Sequence, residues 1–176
     1  MAASGIANSS TFTVSTPSDR EIRLTRLFDA PRALVFEAMT RPEHVREWWG
    51  RLGDGYSVPE CEIDLRPGGR WRFVNLTPKG FRVVFSGEYR EIDPPERLVF
   101  TEVYEEGPGA SPNADEEASV VTTMFTEERG KTRMTVTARY LSTEIRDIVI
   151  KSGMERGAAI SYDRLEEVAV ALAARS

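Results

Sequence analysis

The chain of 176 residues has very little of the histidine and cysteine on which typical zinc sites and cysteine nucleophile sites depend. It has one cysteine, Cys61, and one histidine, His44. A zinc site needs several His, Cys or carboxylate ligands that converge, and no Gly-rich phosphate loop is visible. We therefore expect no metal, no cofactor and no catalytic residue. Cys61 cannot form an internal disulfide, which favours a reducing compartment and predicts a cytoplasmic protein.

Long apolar runs and clustered positive charge are also missing. No stretch approaches the roughly 18 apolar residues that a membrane span needs, and the first residues lack the pattern of a secretory signal. The formal net charge is −5, with the arginines scattered along the chain. We therefore expect neither nucleic acid nor a membrane as a partner.

The order of predicted elements defines one domain. Residues 1–18, rich in Ser, Thr and Ala, predict a disordered tail, although residues 11–14 could add an edge strand. Residues 19–176 then predict one strand, two short helices, further strands and a long helix over 143–174. Short turns such as Pro67-Gly68-Gly69 indicate an antiparallel meander. The one long connection, 105–117, is expected to be either a lid or disordered.

The predicted last helix carries a stretch of small residues on one side: Gly153, Gly157, Ala158, Ala159 and Ser161. Protein interiors are close-packed, so small residues against a sheet predict either close backbone approach or a void. This helix is the only element long enough to cover a curved sheet. The predicted fold is therefore α+β, with an antiparallel sheet of six to seven strands wrapped around the last helix and two short helices after the first strand.

Several motifs together resemble the START-like (SRPBCC) superfamily, in the bacterial branch named after the activator of Hsp90 ATPase. They are Phe28-Asp29-Ala30-Pro31, Trp48-Trp49-Gly50, Asp64-Leu65-Arg66-Pro67-Gly68-Gly69, Gly87-Glu88-Tyr89, Pro94-Pro95-Glu96-Arg97-Leu98 and Gly153-Met154. The resemblance implies a helix-grip fold with a cavity between sheet and helix. Relatives commonly carry Trp where this chain has Ala158, which implies either a larger cavity or a tryptophan from elsewhere that refills it.

Aromatic and soft side chains are frequent on the predicted strands and short helices, and they suit the wall of an apolar cavity. Together with the small stretch they predict the site of a small hydrophobic or aromatic ligand. The predicted cavity residues are Trp48, Trp49, Trp71, Phe73, Phe85, Tyr89, Phe100, Met124, Met154, Ala158 and Ser161.

Two carboxylates on a predicted strand have two alternative positions. A strict two-residue turn at Pro67-Gly68 would place Glu62 and Asp64 on the face of Trp71, where burial would raise their pKa and suit acid–base chemistry. A bulge at Gly69 would shift the register by one and place both in solvent. The bulge is favoured because it keeps charges out of the core.

Three functions follow as hypotheses. The first is a non-catalytic carrier, sensor or sequestering protein for a small hydrophobic molecule. The second is an enzyme of the cyclase or hydrolase type that uses Glu62 or Asp64 inside the cavity. The third, from the resemblance alone, is a module that interacts with an Hsp90-type chaperone. The sequence leaves the ligand and any homodimer open.

Overall fold

The computed structural model describes residues 10–107, 110, 116 and 118–176. Within them the chain forms eight strands and four helices. Their bounds are β1 Thr13–Ser15, β2 Glu21–Phe28, α1 Arg32–Thr40, α2 Pro42–Trp48, β3 Ser57–Ile63, β4 Arg70–Leu76, β5 Arg82–Asp93, β6 Arg97–Glu106, β7 Ser119–Glu128, β8 Lys131–Arg139, α3 Thr143–Lys151 and α4 Met154–Arg175.

The strands form a single antiparallel sheet in the order β1-β2-β8-β7-β6-β5-β4-β3. The predicted α+β helix-grip architecture is confirmed, with eight strands where six to seven were expected. The short strand β1 pairs with β2, with Thr13 opposite Thr25, so part of the segment predicted as a tail is structured. Residues 1–9 and most of the predicted lid at 105–117 lie outside the described residues.

The C-terminal helical segment differs from the single helix that the sequence predicts. Helix α3 ends at Lys151 and α4 begins at Met154. Between them Gly153 has a φ of 85°, a left-handed conformation that only glycine adopts at little cost. Helix α3 has its own N-cap, because the Ser142 side chain accepts a hydrogen bond from the Ile145 amide at 3.2 Å. The break therefore lets α3 and α4 take separate directions.

Alternation along the strands gives the sheet an inner face that α4 covers, and this face forms the core. Its fully buried side chains include Ile22, Phe28, Leu98, Phe125 and Met134, which cluster with Leu165 and Ala169 of α4. Helices α1 and α2 close one end of this core through Val35, Val45 and Trp48. The inner face is therefore packed most tightly where α1, α2 and the C-terminal half of α4 meet.

A buried charge ties α4 to β2. The Arg26 side chain on the inner face is 1% exposed, and its guanidinium pairs with Asp163 and, at 3.6 Å, with Glu166 of α4. Glu166 also accepts a hydrogen bond from the Asp29 amide at 3.1 Å. Removing ions from water costs several kcal/mol unless they are paired, so this cluster holds β2 and the middle of α4 in one relative position.

We expect Arg26→Ala to lower the free energy of unfolding by about 3 kcal/mol, because Glu166 would be left buried without its counter-charge. Chemical denaturation at pH 7 measures the change. Arg23→Ala is the matched control, since Arg23 lies on the same strand and its side chain donates one hydrogen bond to Thr137. Arg23→Ala should lower the free energy of unfolding by less than about 1 kcal/mol. Equal losses in the two variants would contradict the role given to Arg26.

Candidate functional site

An aromatic cluster occupies the space between the inner face and the helices, and Trp49 lies at its centre. Trp49 caps the C-terminus of α2, directly before Gly50 with a φ of 59°. Its ring contacts four others edge-on, at centroid distances of 5.0 to 6.3 Å: Trp48, Trp71, Phe73 and Phe85. A loop residue, rather than the sheet itself, therefore fills the middle of this space.

The loop that carries Trp49 is held by hydrogen bonds to its backbone. The Asn75 side chain donates to the Trp49 carbonyl at 2.8 Å, and the Gly50 amide donates to Ser161 Oγ at 3.2 Å. Gly157 of α4 lies against Leu52 of the same loop, close enough that an added Cβ would be 3.9 Å from Leu52. Ser161 thus joins the loop to α4, whereas at Gly157 an added Cβ would make only an ordinary van der Waals contact.

The space that is left beside the cluster is small. A cavity of about 30 Å³ is lined by Met39, Trp48, Trp49, Trp71, Phe73, Tyr89, Leu98 and Phe100. A water molecule needs roughly this much room. Six of the predicted cavity residues surround it, but Ala158 does not, so this cavity is not the roomy void expected beside that residue.

Five predicted cavity residues do not line this cavity: Phe85, Met124, Met154, Ala158 and Ser161. Phe85 stacks on Tyr104 with ring centroids 5.0 Å apart, and Met154 and Ala158 pack against the core from α4. Ser161 is buried, and its hydroxyl accepts a hydrogen bond from the Gly50 amide at the contact between α4 and the loop; its place beside a ligand stays a prediction.

Met124 was also expected in the cavity, and this is wrong. Its neighbour Phe125 is buried on the inner face, opposite Met134, so alternation turns Met124 to the outer face. There its sulfur lies 3.5 Å from Arg97 Nη1. Both residues are apolar, so the sequence of β7 alone did not show which of the two faces inward.

Glu62 and Asp64 lie in solvent, and the hypothesis that they serve the cavity is wrong. The observed register pairs Glu62 with Arg72 and Ile63 with Trp71, which confirms the bulged alternative. Both carboxylates are exposed, and Asp64 pairs with Arg66 at 2.9 Å. The cost of burying two carboxylates among aromatic rings accounts for this register.

A different carboxyl group, which the sequence pattern had not singled out, faces the interior. Glu102 lies on β6 between Phe100 and Tyr104, opposite Ser119 of β7. Burial raises its pKa to about 7. Burial first, and then the charge of Glu102, also raise the pKa of Tyr140 and Tyr162. The strand pattern Leu98, Phe100, Glu102, Tyr104 contained this signal, since a charge stands at an inward position.

Glu102 belongs to a part of the inner face that is less tightly covered. We call it the inner-face cleft, and its residues are Phe85, Phe100, Glu102, Tyr104, Ala138, Tyr140 and Ala158. All seven are only partly buried, whereas Phe28, Leu98, Phe125 and Met134 on the same face are fully buried. This part of the inner face is therefore less completely covered than the core.

Other kinds of site are not supported by the geometry. Among residues 10–107, 110, 116 and 118–176, no three His, Cys, Asp or Glu side chains converge as metal ligands would. Burial raises the pKa of the Cys61 thiol to about 11, so it carries little of the reactive thiolate at neutral pH. Within the same described ranges, no helix is both long enough and apolar enough to cross a membrane.

The fold and the cleft together define a helix-grip domain of the START-like class. The model of the family "Activator of Hsp90 ATPase homolog 1-like protein" matches residues 29–169, and the chain belongs to that family. No curated protein matches the sequence.

Solved structures of bacterial proteins share the fold. A Rhodobacter sphaeroides protein is 26% identical, with 93% of this chain and 99% of that chain covered and a TM-score of 0.78. A Mycobacterium smegmatis protein is also 26% identical, over 89% of this chain and 96% of that chain, with a TM-score of 0.77. A Nitrosomonas europaea protein is 24% identical over 90% of this chain and 99% of that chain, with a TM-score of 0.75; it shows the fold alone.

The raised pKa of Glu102 makes stability depend on pH. Below its ordinary pKa of 4.5 the group is protonated whether the chain is folded or unfolded. As pH rises toward 7 the unfolded chain loses this proton first, so stability falls until the folded pKa is passed. We expect the wild type to lose up to about 3 kcal/mol relative to Glu102→Gln between pH 4.5 and pH 8.

Denaturant titrations of both proteins across this range measure the difference. Glu105→Gln is the control, because Glu105 is exposed and pairs with Arg72 at 3.2 Å. Parallel pH profiles for the wild type and Glu102→Gln would show that the pKa of Glu102 is not raised in the folded protein.

Proposed function

We propose that this protein binds a small molecule with an aromatic or apolar body between the inner face and α4, as a carrier, sensor or sequestering protein. The observation that carries the proposal is the position of Trp49. A ring supplied by a loop lies among the rings of the sheet, where the ring of a ligand would find the same edge-to-face contacts. Membership of the family supports a ligand-binding domain.

The size of the space sets how a ligand enters. Ligand pockets are usually hundreds of Å³, whereas the cavity beside Trp49 holds about 30 Å³. A ligand therefore occupies the inner-face cleft next to this cavity, or displaces the Trp49 ring, or does both. Each edge-to-face pair that Trp49 makes is worth about 1 kcal/mol, and a bound ring would make equivalent pairs in its place.

Ala158 lies on the α4 side of the cleft and allows a direct test. We expect Ala158→Trp to fill the cleft and to weaken binding of the fluorescent probe 1-aminoanthracene at least about tenfold, without unfolding the domain. Fluorescence titration gives the affinity, and thermal unfolding gives the Tm.

The matched control is Ala171→Trp, which adds the same ring to an exposed position of the same helix. It should bind the probe like the wild type. Unchanged binding by a folded Ala158→Trp protein would place the site elsewhere, and no binding by the wild type in a broad set of apolar compounds would contradict the proposal itself.

Association with an Hsp90-type chaperone is the second candidate, and the family model supports it. If it holds, the purified protein should retain the chaperone of its host in a pull-down and stimulate its ATPase. Absence of both effects, alongside binding of a small molecule, would leave the first candidate.

A further inference from the structure

Glu102 differs from the buried charges Arg26 and Glu166, which pair with each other. Arg26 on the same inner face is met by Asp163 and Glu166. Among the described residues, the Glu102 carboxyl has neither a hydrogen bond nor an ion pair, and burial is the one cause that shifts its pKa. The fold thus places a carboxyl group in an apolar region and leaves its oxygens to be satisfied by something else.

The surroundings of Glu102 favour positive charge. Phe100 and Tyr104 flank it on β6, and Tyr104 stacks on Phe85 of β5. The faces of aromatic rings attract cations, most strongly where water is excluded. A protein with a formal net charge of −5 also attracts cations at long range.

We propose that Glu102 is the polar recognition residue of the inner-face cleft, and that the ligand is a small organic ammonium ion, a protonated amine on an aromatic or apolar body. This inference rests on the proposed function and adds the chemical class of the ligand. The N–H groups of the amine donate hydrogen bonds to the carboxylate, and the rings around Glu102 enclose the apolar body.

Binding of such a ligand is coupled to proton release. The ammonium ion stabilises the ionised carboxylate, so the Glu102 carboxyl gives up its proton to solvent when the complex forms below its pKa of about 7. The titratable groups that face it are Tyr104 on β6, Tyr140 after β8 and Tyr162 on α4, and burial raises the pKa of all three. They stay protonated through neutral pH, so the released proton comes from Glu102.

The test compares 2-naphthylmethylamine with 2-naphthylmethanol, which has nearly the same shape without the charge. Isothermal titration calorimetry at pH 8 should show the wild type binding the amine at least about tenfold more tightly than the alcohol. Glu102→Gln should remove this preference while binding the alcohol as the wild type does. Glu105→Gln, on the same strand but paired with Arg72, should keep the preference.

A second measurement uses the wild type alone and does not depend on how the variant folds. Titrations at pH 6 in two buffers of different ionisation enthalpy count the protons released per amine bound, and we expect nearly one. At pH 8 this number should fall toward zero, because Glu102 is already ionised.

The outcomes separate the two proposals. Equal affinity of the wild type for amine and alcohol, an amine preference that survives Glu102→Gln, or no proton release at pH 6 would overturn the role of Glu102 and leave the proposed function standing. Binding of neither probe by the wild type would overturn the ammonium ligand, and the absence of binding in the broad set of apolar compounds as well would overturn both.

Discussion

The pairing of one buried arginine with one helix determines how the rest of this domain is arranged. Arg26 cannot reach water from the inner face of β2, so its charge must be met by Asp163 and Glu166, which lie three residues apart on one side of α4. Together with Leu165 and Ala169, these residues fix α4 by its middle and its C-terminal half. Toward its N-terminal end, α4 packs against the core through Met154 and Ala158, which are only partly buried.

The small residues of α4 serve two purposes that the sequence did not separate. Ser161 accepts a hydrogen bond from the loop after α2, while Ala158, under the proposed function, faces the ligand. The loop in turn places Trp49 in the interior. A tryptophan ring therefore fills part of the space between sheet and helix, although residue 158 of α4 is an alanine. A tryptophan that refills the cavity was one of the expectations, but spacing along the chain could not show which one. That outcome depends on hydrogen bonds that join the loop to Asn75 and Ser161, both distant in sequence.

Elements whose pattern had one physical solution were predicted well. The antiparallel sheet and the covering helix follow from short turns and from the order of elements. The register of β3 with β4 had two alternatives, and the observed one is the favoured alternative, which keeps Glu62 and Asp64 out of the core. The prediction for Met124 was wrong because the neighbouring Phe125 is equally apolar. The break at Gly153 was not predicted because a glycine within a helical sequence pattern does not reveal its φ. Glu102 was missed because its partner strand β7 follows a long connection, which leaves the pairing with Ser119 undetermined until the sheet is seen.

Under the proposed function, two features of the interior would be complementary to a ligand. Trp49 fills with its own ring the place where a foreign ring would make equivalent contacts, and Glu102 lacks the counter-charge that the fold supplies to Arg26. A neutral apolar ligand would use the first feature and leave the carboxyl unsatisfied. An ammonium ion on an aromatic body would use both, because the hydrogen bonds and the counter-charge it brings offset the cost of ionising a buried acid. Under the proposed function, the arrangement of these two residues therefore favours a cationic ligand over a neutral one.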